Sequence, residues 1–593
     1  MQMDKIDISI LEHLNTIYNE ETSQEAFIRL SSLLERNAFL IPPWGADRKW
    51  HQQYRSRPNG LSERDAILIT YGDQVKEPGK HPLHSLAKFC ERHLTDLVNG
   101  LHILPFSPSS SDDGFAVIDY RAVDPALGDW EDVTRLGQHF KLMFDAVVNH
   151  VSTQNVWFQS FLRTEPKFRD YFIVIEGNPD LSQVVRPRAL PLLTRFETSS
   201  GSRQVWTTFS ADQVDLNYQN PDVLLAILGV LLFYVAQGAE FIRLDAIAYL
   251  WKEIGTSCIH LPQTHHIIQL MRAVLDVVAP HVMLITETNV PHAENVSYFG
   301  DGTNEAQMVY NFALPPLVLH TLQTGSARVL SDWAVSLSLS LRQATFFNFL
   351  ASHDGIGLNP VRGILSQQDI DSLAEQTITH GGLVSYKHDR DGSQSPYELN
   401  INYFDALSNP YGSEPIEIQV DRFIAAQAIM LSLPGVPGIY FHSLFGSRGW
   451  LEGVRQSGQN RTINRQKLEL ANLENELDQS RSLRQRVFHA YARLLKARTA
   501  HPAFHPFGDQ RILDCGEATF AVLRLSPSGS ERVLCLQNVS SQAQSVAMDF
   551  HQALGVKSER LLDLISRHHL HPGEQALTLS PYQTLWLVSD DRH

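Results

Sequence analysis

The chain is poor in cysteine, in positive charge and in long apolar runs, and each shortage excludes a class of function. Only four of its 593 residues are cysteine, at positions 90, 258, 515 and 535, with no CxxC pair and no metal-ligand spacing. Buried free thiols in a reducing compartment are expected, and a disulfide-stapled scaffold is not. Lys and Arg number 49 against 65 Asp and Glu, a formal net charge of −16. No broad affinity for nucleic acid or for an anionic membrane follows from such a balance. An anionic ligand would need a local cluster of Arg, Lys or His. The longest apolar run, Val223 to Ala236, falls short of the roughly 20 residues that span a bilayer; it reads as a buried helix. Met1 to Asp7 has no basic stretch followed by an apolar one, so no signal peptide is visible and a cytoplasmic location is expected. No repeat or low-complexity segment stands out.

What is present is an alternation of short apolar strands with longer helical patterns. The strand candidates are Ile67–Tyr71, His102–Pro105, Leu142–Val148, Phe241–Asp245, Met283–Glu287, Met308–Phe312, Phe346–Ala351 and Gly438–Phe441. Eight parallel-type strands with helices between them imply an α/β fold, a (β/α)8 TIM barrel. Polar residues close five of them: Asp73, Asn149-His150, Asp245, Glu287 and His353-Asp354. A barrel of this kind carries its active site at those C-terminal ends.

Residues 1–60 read as a helical preamble, closed off by Pro42-Pro43-Trp44-Gly45 and Pro58-Asn59-Gly60. The barrel is expected over 61–150 and 225–504. A polar, loop-rich inserted domain occupies 151–224, after the third strand, and a second insertion occupies 360–425, after the seventh. Segments this long are usually functional. Short strands at Phe520–Leu525, Val533–Gln537, Ser545–Met548 and Leu585–Val588 make 505–593 a small all-β C-terminal domain.

Three acids carry the chemistry. Arg243 and Asp245 are two apart, so on a strand they point the same way, and a guanidinium beside a carboxylate favours its ionised form. Taken alone, that pair reads more readily as a structural ion pair. Glu287 ends an apolar strand, where partial burial would raise its pKa toward that of a general acid. Asp354 follows His353 and could hold sugar hydroxyls or stabilise positive charge. An ionised nucleophile facing a protonated acid is what glycosyl transfer with retention needs. All three together, at strand ends four, five and seven, are hard to explain as structural.

These stretches resemble the α-amylase clan, family 13 of the glycoside hydrolases. The matching signatures are Asp145-Ala146-Val147-Val148-Asn149-His150, Arg243-Leu244-Asp245, Glu287 and His353-Asp354, with Gln213-Val214-Asp215-Leu216-Asn217 late in the first insertion. Gly435-Val436-Pro437-Gly438-Ile439-Tyr440 matches the clan's eighth strand. The resemblance covers about 60 to 593. It implies Asp245 as nucleophile, Glu287 as acid/base and Asp354 as transition-state stabiliser, with His150, Arg243 and His353 holding glucose. Within the clan, Thr70-Tyr71-Gly72-Asp73, Leu104-Pro105-Phe106-Ser107-Pro108, Ser111-Asp112-Asp113-Gly114-Phe115, Gly128-Asp129-Trp130 and Asn460-Arg461-Thr462-Ile463-Asn464-Arg465 resemble the sucrose phosphorylase subfamily. By that likeness Asp73 closes the glucose pocket, and Phe115, Gln213 and Arg461 join the glucose site.

A narrower likeness, to bacterial glucosylglycerate phosphorylases, rests on Glu287 to His292, Thr256 to His260, Arg186 to Pro191 and Asp391 to Asn400. Glu398 follows the loop Tyr397 where sucrose phosphorylases usually have Gln, which argues against sucrose. Phosphate and a glycerate carboxylate both suit Arg, and Arg188, Lys387, Asn289, Tyr397 and Glu398 are the expected acceptor and phosphate contacts. Arg186, His388 and Arg390 are further candidates; for Lys387 and Arg390 taken singly, solvated loop charge is at least as good a reading, whereas position within the resemblance favours function for Arg188 and Arg461. Asn149 aligns with a clan position that often binds calcium, but no acidic cluster completes a cage; neither metal nor cofactor is expected. The implied enzyme is a retaining glycoside phosphorylase acting on small molecules, as a monomer or homodimer. Sucrose, sucrose 6-phosphate or glucosylglycerol phosphorylase, a hydrolase or transglucosylase, and a non-catalytic transporter subunit are the rivals.

Overall fold

Short runs such as Ile67-Leu68-Ile69-Thr70 and Met283-Leu284-Ile285-Thr286 are buried along their whole length, as strands covered on both faces must be. The computed structural model describes residues 5–38, 60–187, 190–337, 343–388, 393–555, 560–571 and 576–589. Eight such strands close into a barrel: β1 (Ile67–Thr70), β2 (Gly100–Ile103), β3 (Lys141–Val147), β4 (Ala239–Asp245), β5 (Met283–Thr286), β6 (Met308–Tyr310), β7 (Thr345–Asn348) and β8 (Val436–Tyr440). Every neighbouring pair is parallel, and β8 closes the ring on β1 through Ile67↔Gly438. All eight expected strands form. Most stop before the polar residue expected to end them, so Asp73, Glu287 and Asp354 sit in the following loops while Asp245 is the last residue of β4.

Register builds the floor of the site. Arg243 on β4 lies opposite Asp145 on β3, so their side chains share the barrel interior. The long apolar run folds as the helix Pro221–Ala236, buried along most of its length, with Asn220 capping it by accepting from the Asp222 N–H. It leads directly into β4. The preamble forms helices Lys5–Ile17 and Glu20–Ala38, which pack on Pro262–Val278 and Pro221–Ala236 respectively. The punctuation expected at 42–45 and 58–59 lies outside the described residues.

Both insertions are more regular than loop-rich sequence suggests. In the first, His150–Ser152 pairs with Gln213–Asp215, and Val174–Ile175, Gly201–Trp206 and Leu193–Thr198 form a three-stranded sheet. In the second, Ile356–Gly357, Gln394–Asn400 and Leu383–His388 form another, with Gln394–Asn400 central. The C-terminal region holds a six-stranded antiparallel sheet. Arg524, buried, ties it to the barrel by donating to the Ser432 and His505 carbonyls at 3.0 and 2.9 Å. Cys90, Cys258 and Cys535 are buried free thiols and Cys515 is half-buried. Among the described residues no helix is long and apolar enough to cross a membrane.

Candidate active site

Arg243 is the hub. Only 2% exposed, it donates to Asp245 Oδ1 at 2.8 Å, pairs with Asp145, and brings its second terminal nitrogen to 3.8 Å from Glu287 Oε2. His102 Nε2 lies 2.6 Å from the other oxygen of Asp145. Burial opposes ionisation of Asp145, but Arg243 and His102 outweigh it and hold the carboxyl at about 2. After Asp245 the chain turns sharply: Ala246 takes a left-handed φ of 48°, a conformation costing an alanine about 1–2 kcal/mol. The turn aims the Ala246 N–H at Glu287 Oε2, 3.0 Å away.

Burial pushes the Asp245 carboxyl up to about 8 against the pull of Arg243, and the charges of Glu287 and Asp145 add to the rise. Burial raises Glu287 as well, again against Arg243. The two titrate as a pair. This corrects the expectation that Arg243 simply holds Asp245 ionised, because one guanidinium is shared among Asp145, Asp245 and Glu287.

Asp354 is in the opposite state. Arg461 Nη1 is 2.5 Å and Arg465 Nη2 3.7 Å from its Oδ1, and His353 Nε2 is 3.5 Å from its Oδ2. Burial works against the charge, but the guanidiniums, Arg461 foremost, hold the carboxyl well below the usual range. His353 itself is lowered by burial to about 3 and is therefore neutral. Its ring stacks on Phe115 with centroids 4.9 Å apart and planes 7° apart. The Phe115 carbonyl accepts from His150 Nε2 at 2.9 Å and Gln213 Nε2 at 3.1 Å.

A cleft of about 770 Å³, including its open mouth, joins these groups. The structure brings Asp245, Glu287, Asp354, Phe115, His150 and Gln213 to its wall, along with His353, Arg461, Tyr397 and Asn289. Arg243 lies beneath them. The other four expected contacts differ. Asp73 is not on the wall: the chain turns away after β1, and its carboxylate sits between Lys467 at 2.6 Å and Lys76 at 3.2 Å. Glu398 is buried behind Arg461, and Lys387, on the edge strand of the second insertion's sheet, is not among the lining residues. Arg188 lies outside the described residues, although Pro187 lines the cleft. Arg390 is also outside them, as is the His388 side chain.

The acid on the wall in place of Asp73 is Asp112, which accepts from Gln213 Nε2 at 3.3 Å. Its signal was the tight Asp112-Asp113-Gly114 turn, where φ values of 54°, 49° and 109° follow one another and a Cβ on Gly114 would lie 2.6 Å from the Pro105 carbonyl. Phe209, Tyr249 and Thr288 also line the cleft without having been anticipated. Asn149 faces a lysine: Lys252 Nζ donates to its Oδ1 at 2.8 Å and lies 2.6 Å from Asp215 Oδ2. Among the described residues no three His, Cys, Asp or Glu gather as metal ligands.

Residues 94–358 match the alpha-amylase catalytic domain family. Over 581 residues the chain is 50% identical to a glucosylglycerate phosphorylase of Allomeiothermus silvanus, covering 98% of each protein. It is 47% identical over 592 residues to one of Spirochaeta thermophila, covering 99% of each. The crystal structure of a sucrose 6F-phosphate phosphorylase from Thermoanaerobacter thermosaccharolyticum superposes with a TM-score of 0.70 at 26% identity, over 80% of this chain and 94% of that one. With the barrel, the cleft and near-full-length likeness in agreement, the chain belongs to the α-amylase family, on the branch that holds the glucosylglycerate phosphorylases.

Proposed function

We propose that the chain is a retaining glycoside phosphorylase that converts 2-O-α-glucosylglycerate and inorganic phosphate reversibly to α-glucose 1-phosphate and glycerate. The observation that carries the chemistry is Arg243 bridging two carboxyls of one cleft, at 2.8 Å from Asp245 and 3.8 Å from Glu287. Burial lifts both carboxyls, so the two hold protons readily; in the reactive form Asp245, bonded directly to Arg243, carries the charge and Glu287 the proton. Asp245 attacks the anomeric carbon, and the bond to the glycerate oxygen breaks as Glu287 protonates that oxygen. Glycerate leaves and phosphate enters. A phosphate oxygen attacks the β-glucosyl ester, its proton passes to Glu287, and Asp245 departs as the carboxylate, so the product is again α. Asp354, kept ionised by Arg461 and Arg465, stabilises the oxocarbenium-like charge.

The acceptor is the finer part of the reading. Its support is the near-full-length likeness to glucosylglycerate phosphorylases and an open cleft wall. That wall includes Asn289, whose buried Oδ1 has no hydrogen-bond partner among the described residues, and Tyr397. The enzyme acts on small molecules in the cytoplasm, as a monomer or homodimer. The test is phosphate-dependent release of glucose 1-phosphate from glucosylglycerate, glucosylglycerol, sucrose and sucrose 6-phosphate in parallel. Release chiefly from glucosylglycerate is expected. Release from another donor replaces the acceptor, and free glucose without phosphate dependence makes the enzyme a hydrolase.

A further inference from the structure

Glu398 sits at the centre of the second insertion's sheet, opposite Gly357 on one side and Ser385 on the other. Its side chain is 3% exposed and is not part of the cleft wall. Both carboxylate oxygens are spent on one partner: Arg461 Nε donates to Oε1 at 3.0 Å and Nη2 to Oε2 at 2.6 Å. This two-pronged pairing fixes a guanidinium's plane as well as its position. The remaining terminal nitrogen, Nη1, is left for Asp354 at 2.5 Å. The backbone makes room for the acid. A Cβ on Gly355, the residue after Asp354, would lie 2.6 Å from Glu398 Cγ and 2.5 Å from the Leu399 carbonyl.

We infer that Glu398 is a positioning residue: it never touches the acceptor but holds Arg461 in the cleft wall so that Arg461 in turn fixes Asp354. The proposal rests on the phosphorolytic reading above and replaces the expectation that Glu398 reads the acceptor. An isolated Arg461, half of it free to rotate, would face Asp354, Asp112 and solvent with no defined plane; Glu398 removes that freedom. A neutral glutamine of the same shape turns an N–H₂ toward one of Arg461's donors and loses the second bond. The glucose side of the site therefore depends on a residue of the second insertion, although that residue contacts no substrate.

Glu398→Gln, Arg461→Lys and the double variant of the full chain test this. In a double-displacement reaction, kcat/KM for glucosylglycerate and for glucose 1-phosphate each report glucosyl transfer to Asp245 from one leaving group. Glu398→Gln is expected to lower both by a similar factor, roughly 10- to 100-fold. The KM for glycerate in the reverse direction should change by less than about threefold, and the double variant should be no slower than Arg461→Lys alone. A loss confined to glucosylglycerate, with a raised glycerate KM, would mean that Glu398 reads the acceptor and would overturn the proposal. Losses that add in the double variant overturn it too, because Glu398 would then act by another route. Should Glu398→Gln fail to fold, Arg461→Lys must still lower both donors alike, or the proposal fails. Wild-type enzyme inactive on both donors would refute the phosphorolytic reading instead.

Discussion

One guanidinium, Arg243, serves Asp145, Asp245 and Glu287, whereas Asp354 is reached by two, Arg461 and Arg465, which also pair with Glu398 and Asp113. Both sites are largely buried, so both pay the same kind of desolvation cost, yet burial wins at Asp245 and Glu287 and loses at Asp354. The number of guanidiniums that reach each carboxyl, and how closely, decides which. In the proposed reaction proton exchange is confined to the Arg243 side, where Asp245 and Glu287 divide one proton. Asp354, on the Arg461–Arg465 side, would keep a constant charge through that cycle, as the proposed stabiliser of developing positive charge should.

The largest effect should come from removing the charge that reacts. Asp245→Asn is expected to lower kcat by roughly 10⁴-fold or more with the circular dichroism spectrum unchanged; near wild-type rates would dismiss Asp245 as nucleophile. Glu287→Gln should cost about 10²- to 10⁴-fold on glucosylglycerate. The deficit should shrink on α-glucosyl fluoride, whose leaving group needs no proton, and an equal deficit on both would remove the acid role. Asp354→Asn should cost about 10²- to 10³-fold and, unlike Glu287→Gln, the same on both donors. That difference between Glu287 and Asp354 tests the contrast between the proton-exchanging and constant-charge sides directly.

The barrel was legible because its strands are short apolar runs with chemistry at their ends, a pattern that survives without any knowledge of packing. Ten of the residues expected in the site do line the cleft for the same reason: they follow strands or lie in short motifs. Asp73 and Asp112 show where this stops. Both are acids in loops after β1 and β2, and only the three-dimensional turn at Asp112-Asp113-Gly114, and the pull of Lys467 and Lys76 on Asp73, decide which faces the cleft. Glu398 fails differently. Its position next to Tyr397 was visible, but strand alternation sends neighbouring side chains to opposite faces, and the partner that claims it is 63 residues away. The regularity of the insertions was hidden because their strands are short or polar in sequence, half-exposed at Leu193–Thr198 and rich in Gln, Ser, Glu and Asn even where buried at Gln394–Asn400, and so lack a continuous apolar run.

The smallest effect concerns stability and has a definite sign. The Asp245–Glu287 pair binds protons more tightly folded than unfolded, since burial lifts Asp245 from an ordinary carboxyl value to about 8 and raises Glu287 too. A folded-state pKa above the unfolded one contributes stability that is complete below the unfolded value and is lost as pH rises through the folded value. Wild-type protein should therefore lose stability from this pair between about pH 4 and pH 8. Asp245→Asn, which leaves one carboxyl to ionise instead of two, should melt higher than wild type, with a gap that widens toward pH 8. At Asp354 the sign is reversed: its depressed pKa means stability that is present above an ordinary carboxyl value and lost only as pH falls below it. Asp354→Asn should consequently melt lower than wild type across neutral pH. Thermal melts of the two variants that shift in the same direction at pH 7.5 would show that the guanidiniums reaching each carboxyl do not set the balance on the two sides of the cleft.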